Sequence, residues 1–144
     1  MTENEEIIDS PVGWVNKHIK RYVQSDGKDG FMHNGMPTLL LTTRGRKSGK
    51  LYRTALIFGQ DGDRYLIVPS NGGSDKAPSW YGNLFENPEV DLQVGADKFK
   101  ARARNASAKE KPALWQIMTQ IFPMYNTYQK KSKREIPVVV LERV

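Results

Sequence analysis

The chain contains no cysteine, which excludes disulfides, thiolate catalysis and cysteine-ligated metal. Histidine is almost as scarce. Only His18 and His33 are present, whereas a histidine-based metal site ordinarily needs three ligands. No apolar run approaches the roughly 20 residues that span a bilayer. The opening MTENEEIIDS is acidic, where a secretory leader would start basic and then turn apolar. These absences fit a cytoplasmic protein. No Ser-His-Asp arrangement can be drawn and no carboxylate pair stands out. If the chain is an enzyme, a bound cofactor is expected to carry the chemistry.

Acids are also missing from residues 42–54, Thr-Thr-Arg-Gly-Arg-Lys-Ser-Gly-Lys-Leu-Tyr-Arg-Thr. Arg44, Arg46, Lys47, Lys50 and Arg53 place five cations within ten residues, interrupted by Gly45, Ser48 and Gly49. An apolar run, Thr38 to Leu41, leads in, and Leu56 to Phe58 leads out. The pattern predicts strand, tight basic turn, strand. Such a turn offers backbone N–H groups beside cationic side chains, a combination suited to phosphate or polycarboxylate. It has neither the spacing of a nucleotide P-loop nor a following helix. The overall charge of +6 also points to an anionic partner: nucleic acid, an anionic membrane surface or a small molecule.

With 144 residues and 14 aromatics, the chain can build one adequate core. Residues 1–10 read as a disordered acidic tail and 11–144 as a single domain. Ser10-Pro11 suggests a helix start, with Val12, Val15, Ile19 and Val23 at helical spacing through residue 25. Strand patterns follow over 38–69, with a hairpin signal at Asp61-Gly62. Ser70 to Ser74 reads as a flexible loop and 78–84 as a short helix. Val90–Val94 and Lys98–Ala106 alternate as strands. On the second of these, Lys98, Lys100, Arg102 and Arg104 share one face. Helices are expected from Ser107 to Ile121 and again over Met124–Tyr128, and a final buried strand over Ile136–Leu141. Hairpin connections dominate. The expectation is an α+β fold: a small barrel of about six mostly antiparallel strands with flanking helices.

Two aromatic groups complete the pattern. Trp80-Tyr81 follows the Gly-rich loop. Tyr125 and Tyr128 are three apart on an expected helix and share a face. Core packing would explain both, as would an aromatic pocket for a planar ligand.

Three blocks carry a resemblance to a known family. The first is Leu39-Leu40-Leu41-Thr42-Thr43-x-Gly45-x-Lys47-Ser48-Gly49. The second is Ala77-Pro78-Ser79-Trp80-Tyr81-Gly82-Asn83-Leu84-x-x-Asn87-Pro88. The third runs from Tyr125-x-x-Tyr128-Gln129-x-Lys131 through Arg134 and Ile136-Pro137-Val138 to Leu141. In these blocks the chain resembles the deazaflavin-dependent nitroreductase family, whose cofactor is coenzyme F-420, an 8-hydroxy-5-deazaflavin with an anionic phosphodiester and oligoglutamate tail.

The resemblance implies a split β-barrel similar to flavin-binding split barrels. It implies that the turn, represented by Arg46, Lys47, Ser48, Gly49 and Lys50, holds the phosphate and tail. Arg53, Thr54 and Ala55 would lie on the strand approaching the deazaflavin. Ser70, Asn71, Gly72 and Trp80 would line the cofactor, and Tyr125 and Tyr128 the substrate side. Four positions depart from the family pattern. Tyr52 replaces an Arg, Ala55 a Pro, Asn71 a Lys and Phe122 a Tyr. The implied activity is hydride transfer from reduced F-420 to a flat acceptor such as a quinone, nitroaromatics being incidental. The alternatives are an FMN-dependent barrel enzyme and a nucleic-acid or polyanion-binding module. The latter is disfavoured because only Tyr52 adds an aromatic to the turn. Weak membrane-surface association through the amphipathic first helix is a further expectation.

Overall fold

A computed structural model describes residues 5–144. Among them the fold is α+β, with nine strands in one sheet and four α-helices. The first strand, β1 (Ile7–Asp9), precedes helix α1 (Gly13–Gln24). Strand β2 (Met32–His33) and the long β3 (Met36–Arg44) follow, then β4 (Leu51–Ile57), β5 (Gly59–Asp61) and β6 (Arg64–Ile67). A 3-10 turn at Asn71–Gly73 leads to α2 (Ser79–Glu86), β7 (Glu89–Val94) and β8 (Asp97–Asn105). Helices α3 (Lys111–Ile121) and α4 (Met124–Lys131) precede β9 (Val139–Arg143). The spatial order is β1-β4-β3-β7-β8-β9-β6-β5, with β2 paired to β3. Every pairing is antiparallel except β1 with β4.

Nine strands replace the expected six for three local reasons. The strand pattern after the basic turn is broken at Phe58, so β4 runs into β5 with one residue between them. The very short β2 sits in what reads as a loop. Finally, β1 forms where the sequence suggests a frayed tail. Its residues pair in register with β4, Ile7 opposite Leu51 and Asp9 opposite Arg53. Charge explains the correction over residues 7–9: Asp9 meets Arg53 through two hydrogen bonds, 2.6 and 3.1 Å. Of the rest of the expected tail, residues 1–4 lie outside the described residues.

Two boundaries also shift. Helix α1 begins at Gly13 rather than Pro11, and Val12 caps it in extended conformation; Ser10 instead accepts a 3.3 Å bond from the Val12 amide. The last strand begins at Val139 because Pro137 can donate no ladder bond.

The long strand β3 explains its own composition. Leu39 and Leu41 pack into the main core with Val90, Leu92, Ala101 and Leu141. Leu40, facing the other way, packs with Ile19 and Tyr22 of α1. Both faces are covered, so the run is continuously apolar rather than alternating. A third cluster lies beneath α3 and α4, where Leu114, Met118 and Tyr125 meet Leu66, Ile136 and Val140. Strand β8 does alternate: Ala101 and Ala103 are buried, and Lys98, Lys100, Arg102 and Arg104 are exposed.

Tyr22 pins α1 to the sheet. Its ring is fully buried. Its hydroxyl donates to the Thr38 carbonyl at 2.9 Å and accepts from the Gly95 amide at 2.7 Å. Tyr22→Phe keeps the ring but strands both backbone groups. A loss of about 1–3 kcal/mol in urea denaturation is expected.

Candidate cofactor and acceptor site

The basic turn occupies residues 45–50, between paired Arg44 and Leu51. Gly49 has φ 73°, a region L side chains avoid, and its amide bonds to the Gly45 carbonyl at 2.9 Å. Gly45 is set by close approach: a Cβ there would lie 2.6 Å from the Tyr52 ring and 2.8 Å from Ser48 Oγ. Tyr52, where the family pattern has an Arg, closes over the turn, its hydroxyl 2.8 Å from Ser48 Oγ.

The turn's five cations divide by type. Arg44 forms a two-pronged ion pair with Glu5, at 2.7 and 2.9 Å, and also donates to the Gly49 carbonyl. Arg53 is taken by Asp9, with both side chains less than one-fifth exposed. Arg46 reaches α2, donating to the Ser79 carbonyl at 3.0 Å and to Asn83 Oδ1 at 2.9 Å. The two lysines, Lys47 and Lys50, have no side-chain partner among the described residues. Planar guanidinium forks bind carboxylates and carbonyls in fixed geometry, whereas an ammonium on a flexible stem stays available.

Asn83 fixes the turn to the body of the protein. It is buried, accepts from the Arg46 backbone at 3.1 Å and donates to Thr43 Oγ1 at 3.1 Å. Nothing in its sequence spacing marked it as part of the site.

Two cavities flank this tether. A basic cavity of about 500 Å³ is lined by Arg46, Lys47, Ser48, Arg53, Thr54 and Trp80, and also by residues 8–11. Next to it, an aromatic cavity of about 350 Å³ takes in Ala55, Ser70, Asn71, Gly72, Tyr125 and Tyr128. Trp80 walls both. The structure thus brings together twelve of the fourteen residues singled out in the sequence. Gly49 and Lys50 line neither cavity.

The aromatic cavity has two ring-bearing flanks. On one, Tyr125 stands edge-on to Phe122 at 5.0 Å and near Tyr128 at 6.4 Å. Burial, and secondarily the neighbouring Tyr128, pushes the Tyr125 phenol well above its ordinary value. It therefore stays protonated at physiological pH and can donate a hydrogen bond into the cavity. The other flank, missed by sequence reasoning, is a three-ring stack. Trp14 lies on His33 at 5.5 Å, and His33 on His18 at 5.1 Å. His18 is buried and its Nε2 donates to the Gly30 carbonyl at 2.6 Å. The two histidines, too few by sequence for a metal site, are brought together where α1 packs over β2. Arg134 was quoted only as part of a motif. It holds the loop at 70–74, donating to the carbonyls of Pro69, Ser70 and Ser74.

A cationic cavity joined to an aromatic one through a shared indole suits a long ligand, planar at one end and anionic at the other. Among the described residues no cluster of His, Asp or Glu could hold a metal ion.

Comparison with known proteins places this architecture. The family model for F420H(2)-dependent quinone reductase matches residues 14–143, and the chain belongs to that family. An F420H(2)-dependent quinone reductase of Mycobacterium tuberculosis (strain ATCC 25618 / H37Rv) is 36% identical over 143 residues, covering 90% of this chain and 96% of that protein. A solved F420-H2 dependent reductase is 37% identical, covers 74% of this chain and 94% of its own, and superposes with a TM-score of 0.69. A second solved structure, described as a domain-swapped dimer, is 34% identical with TM-score 0.72, covering 92% of this chain and 100% of its own.

The Asn83 tether makes a direct prediction. Asn83→Ala removes the acceptor for the Arg46 amide and the partner of Thr43. Stability is expected to fall by about 1–3 kcal/mol. Amide hydrogen exchange at residues 45–49 is expected to quicken more than in β7 and β8.

Proposed function

We propose that this chain is an F420H(2)-dependent quinone reductase that binds the deazaflavin lengthwise across the two cavities. The observation that carries this reading is the common Trp80 wall between a basic and an aromatic cavity, within a member of this family. The donor set fits the cofactor's anionic part. The Lys47 ammonium is unpaired, and the Lys47 and Ser48 amides meet no acceptor among the described residues. The planar part fits against Thr54, Ala55 and the loop at 70–72, beside Trp80.

When bound, the reduced deazaflavin supplies a hydride; the protein's own contribution is positioning and exclusion of water. A flat quinone lies in the aromatic cavity between the Tyr125–Tyr128 flank and the Trp14–His33 stack. Tyr125 donates a hydrogen bond to the quinone oxygen and keeps its proton. The proton that completes the quinol comes from the less buried Tyr128 hydroxyl or from solvent. Phe122 lines the cavity without offering a hydroxyl, which favours quinones over nitroimidazoles. Neither FMN nor nucleic acid is favoured by the comparisons.

The same reading takes the sheet as a split barrel. Strand β5 is one end of the strand order and β4 lies next to the other, yet only Phe58 separates them in the chain. Closure through that residue would make β4 and β5 one bent strand and leave six barrel strands, with β1 and β2 as additions.

Exposed Val12, Trp14 and Met32 lie on or beside the Trp14–His33 stack and would let a lipid-borne quinone reach the cavity from a cytoplasmic membrane face. Among the described residues no helix is long and apolar enough to cross a membrane. Co-flotation with anionic liposomes, lost in Trp14→Ser, is the expected result.

The principal test is tryptophan fluorescence titrated with oxidised F-420. Quenching with a Kd on the order of tens of micromolar or tighter is expected; no quenching would overturn the assignment. Lys47→Ala should weaken binding several-fold at low salt and less at high salt. On the acceptor side, His33→Ala removes the middle ring of the stack. It is expected to raise the KM for a water-soluble quinone severalfold while leaving the Kd for F-420 unchanged.

A further inference from the structure

The basic turn carries its own counter-anions. Glu5 and Asp9 lie 39 and 44 residues from the arginines they pair with, and each uses both carboxylate oxygens. The strand between them is held by backbone pairing: Ile7, Ile8 and Asp9 lie in parallel register with Leu51, Tyr52 and Arg53, and the Ser10 amide donates to the Arg53 carbonyl at 3.0 Å. Ile8, Asp9, Ser10 and Pro11 form part of the basic cavity's wall. A ligand anion seeking Arg44 or Arg53 would have to displace a carboxylate already seated in bidentate geometry. Nothing comparable restrains Lys47 and Lys50.

We propose that the acidic segment from Glu5 to Asp9, which includes β1, limits how much negative charge the basic cavity accepts. Asp9 withdraws Arg53, which lines the cavity, and Glu5 withdraws Arg44, which flanks the turn outside the cavity lining. The lysines and turn amides remain for the ligand's nearest anionic group; Arg46 at the cavity wall is held by the Ser79 carbonyl and Asn83, so more distant carboxylates find no free guanidinium. This rests on the F-420 reading, for which it has a specific meaning: the protein recognises the phosphodiester end and is indifferent to the length of the glutamate tail.

The test compares oxidised F-420 lacking glutamates with F-420 carrying a long glutamate tail. Fluorescence titrations are run at low ionic strength on the native protein and on the Glu5→Gln/Asp9→Asn variant. The native protein is expected to bind both forms within about twofold of each other. The variant keeps neutral hydrogen-bonding side chains but frees two guanidiniums. It is expected to favour the long tail by about tenfold, an advantage that disappears at high salt. Adding Arg44→Ala and Arg53→Ala to the variant should abolish the preference, and circular dichroism confirms that each form is folded. A strong tail preference in the native protein, or none in the variant, overturns the proposal.

A free oligoglutamate peptide provides a second arm that does not depend on the deazaflavin. The variant, but not the native protein, is expected to bind it. If neither form of F-420 binds either protein, the assignment of the cofactor fails, while the peptide arm still decides the role of β1: equal peptide binding by both proteins rejects it.

Discussion

Charge compensation at the basic turn is the constraint around which the rest of the site is arranged. Five cations within ten residues repel one another wherever solvent is partly excluded. The fold answers with partners from three directions: carboxylates from the N-terminal strand, a carbonyl and an amide oxygen from α2, and a carbonyl of the turn itself. All but the last of these contacts join elements far apart in sequence. Neutralising the arginines is therefore also what brings β1 and α2 to the cavity, and α2 carries Trp80, which divides the cavity from its aromatic neighbour.

The division of labour between arginine and lysine follows from this. A guanidinium held in two-pronged geometry is structural; its loss would unpair a half-buried carboxylate. An ammonium left in solvent contributes little to stability and is free to meet a ligand. The turn thus uses one sign of charge for two purposes. Tyr52, which departs from the family pattern, belongs to the structural set, since it covers Gly45 and reaches Ser48.

What the sequence made legible was local. The basic turn, its flanking strands, the alternation of β8 and the pairing of Tyr125 with Tyr128 all depend on neighbours within a few residues, where periodicity and turn chemistry speak directly. The pairing of Glu5 with Arg44 and the stack of Trp14, His33 and His18 depend on separations that no local pattern records. An acidic tail read alone looks solvated; beside an arginine hairpin it becomes a strand. The sequence did hold one clue: acids are in excess over residues 1–9, as bases are in the turn. Asn83 left no such clue, because a buried amide that tethers two backbones has the same one-letter signature as one in a loop.

The parallel pairing of β1 also determines how the two ends of the chain relate to the site. Glu5 and β1 lie beside the basic turn. The carboxyl end, by contrast, finishes along β8, where the Val144 amide donates to the Lys100 carbonyl, three strands away from β4 in the sheet order. On the proposed reading, a charge added to β1 would lie next to the turn's cations and take part in whatever the turn binds. One added beside Val144 would not, so the two ends of the described fold are not equivalent places from which to handle or immobilise this protein.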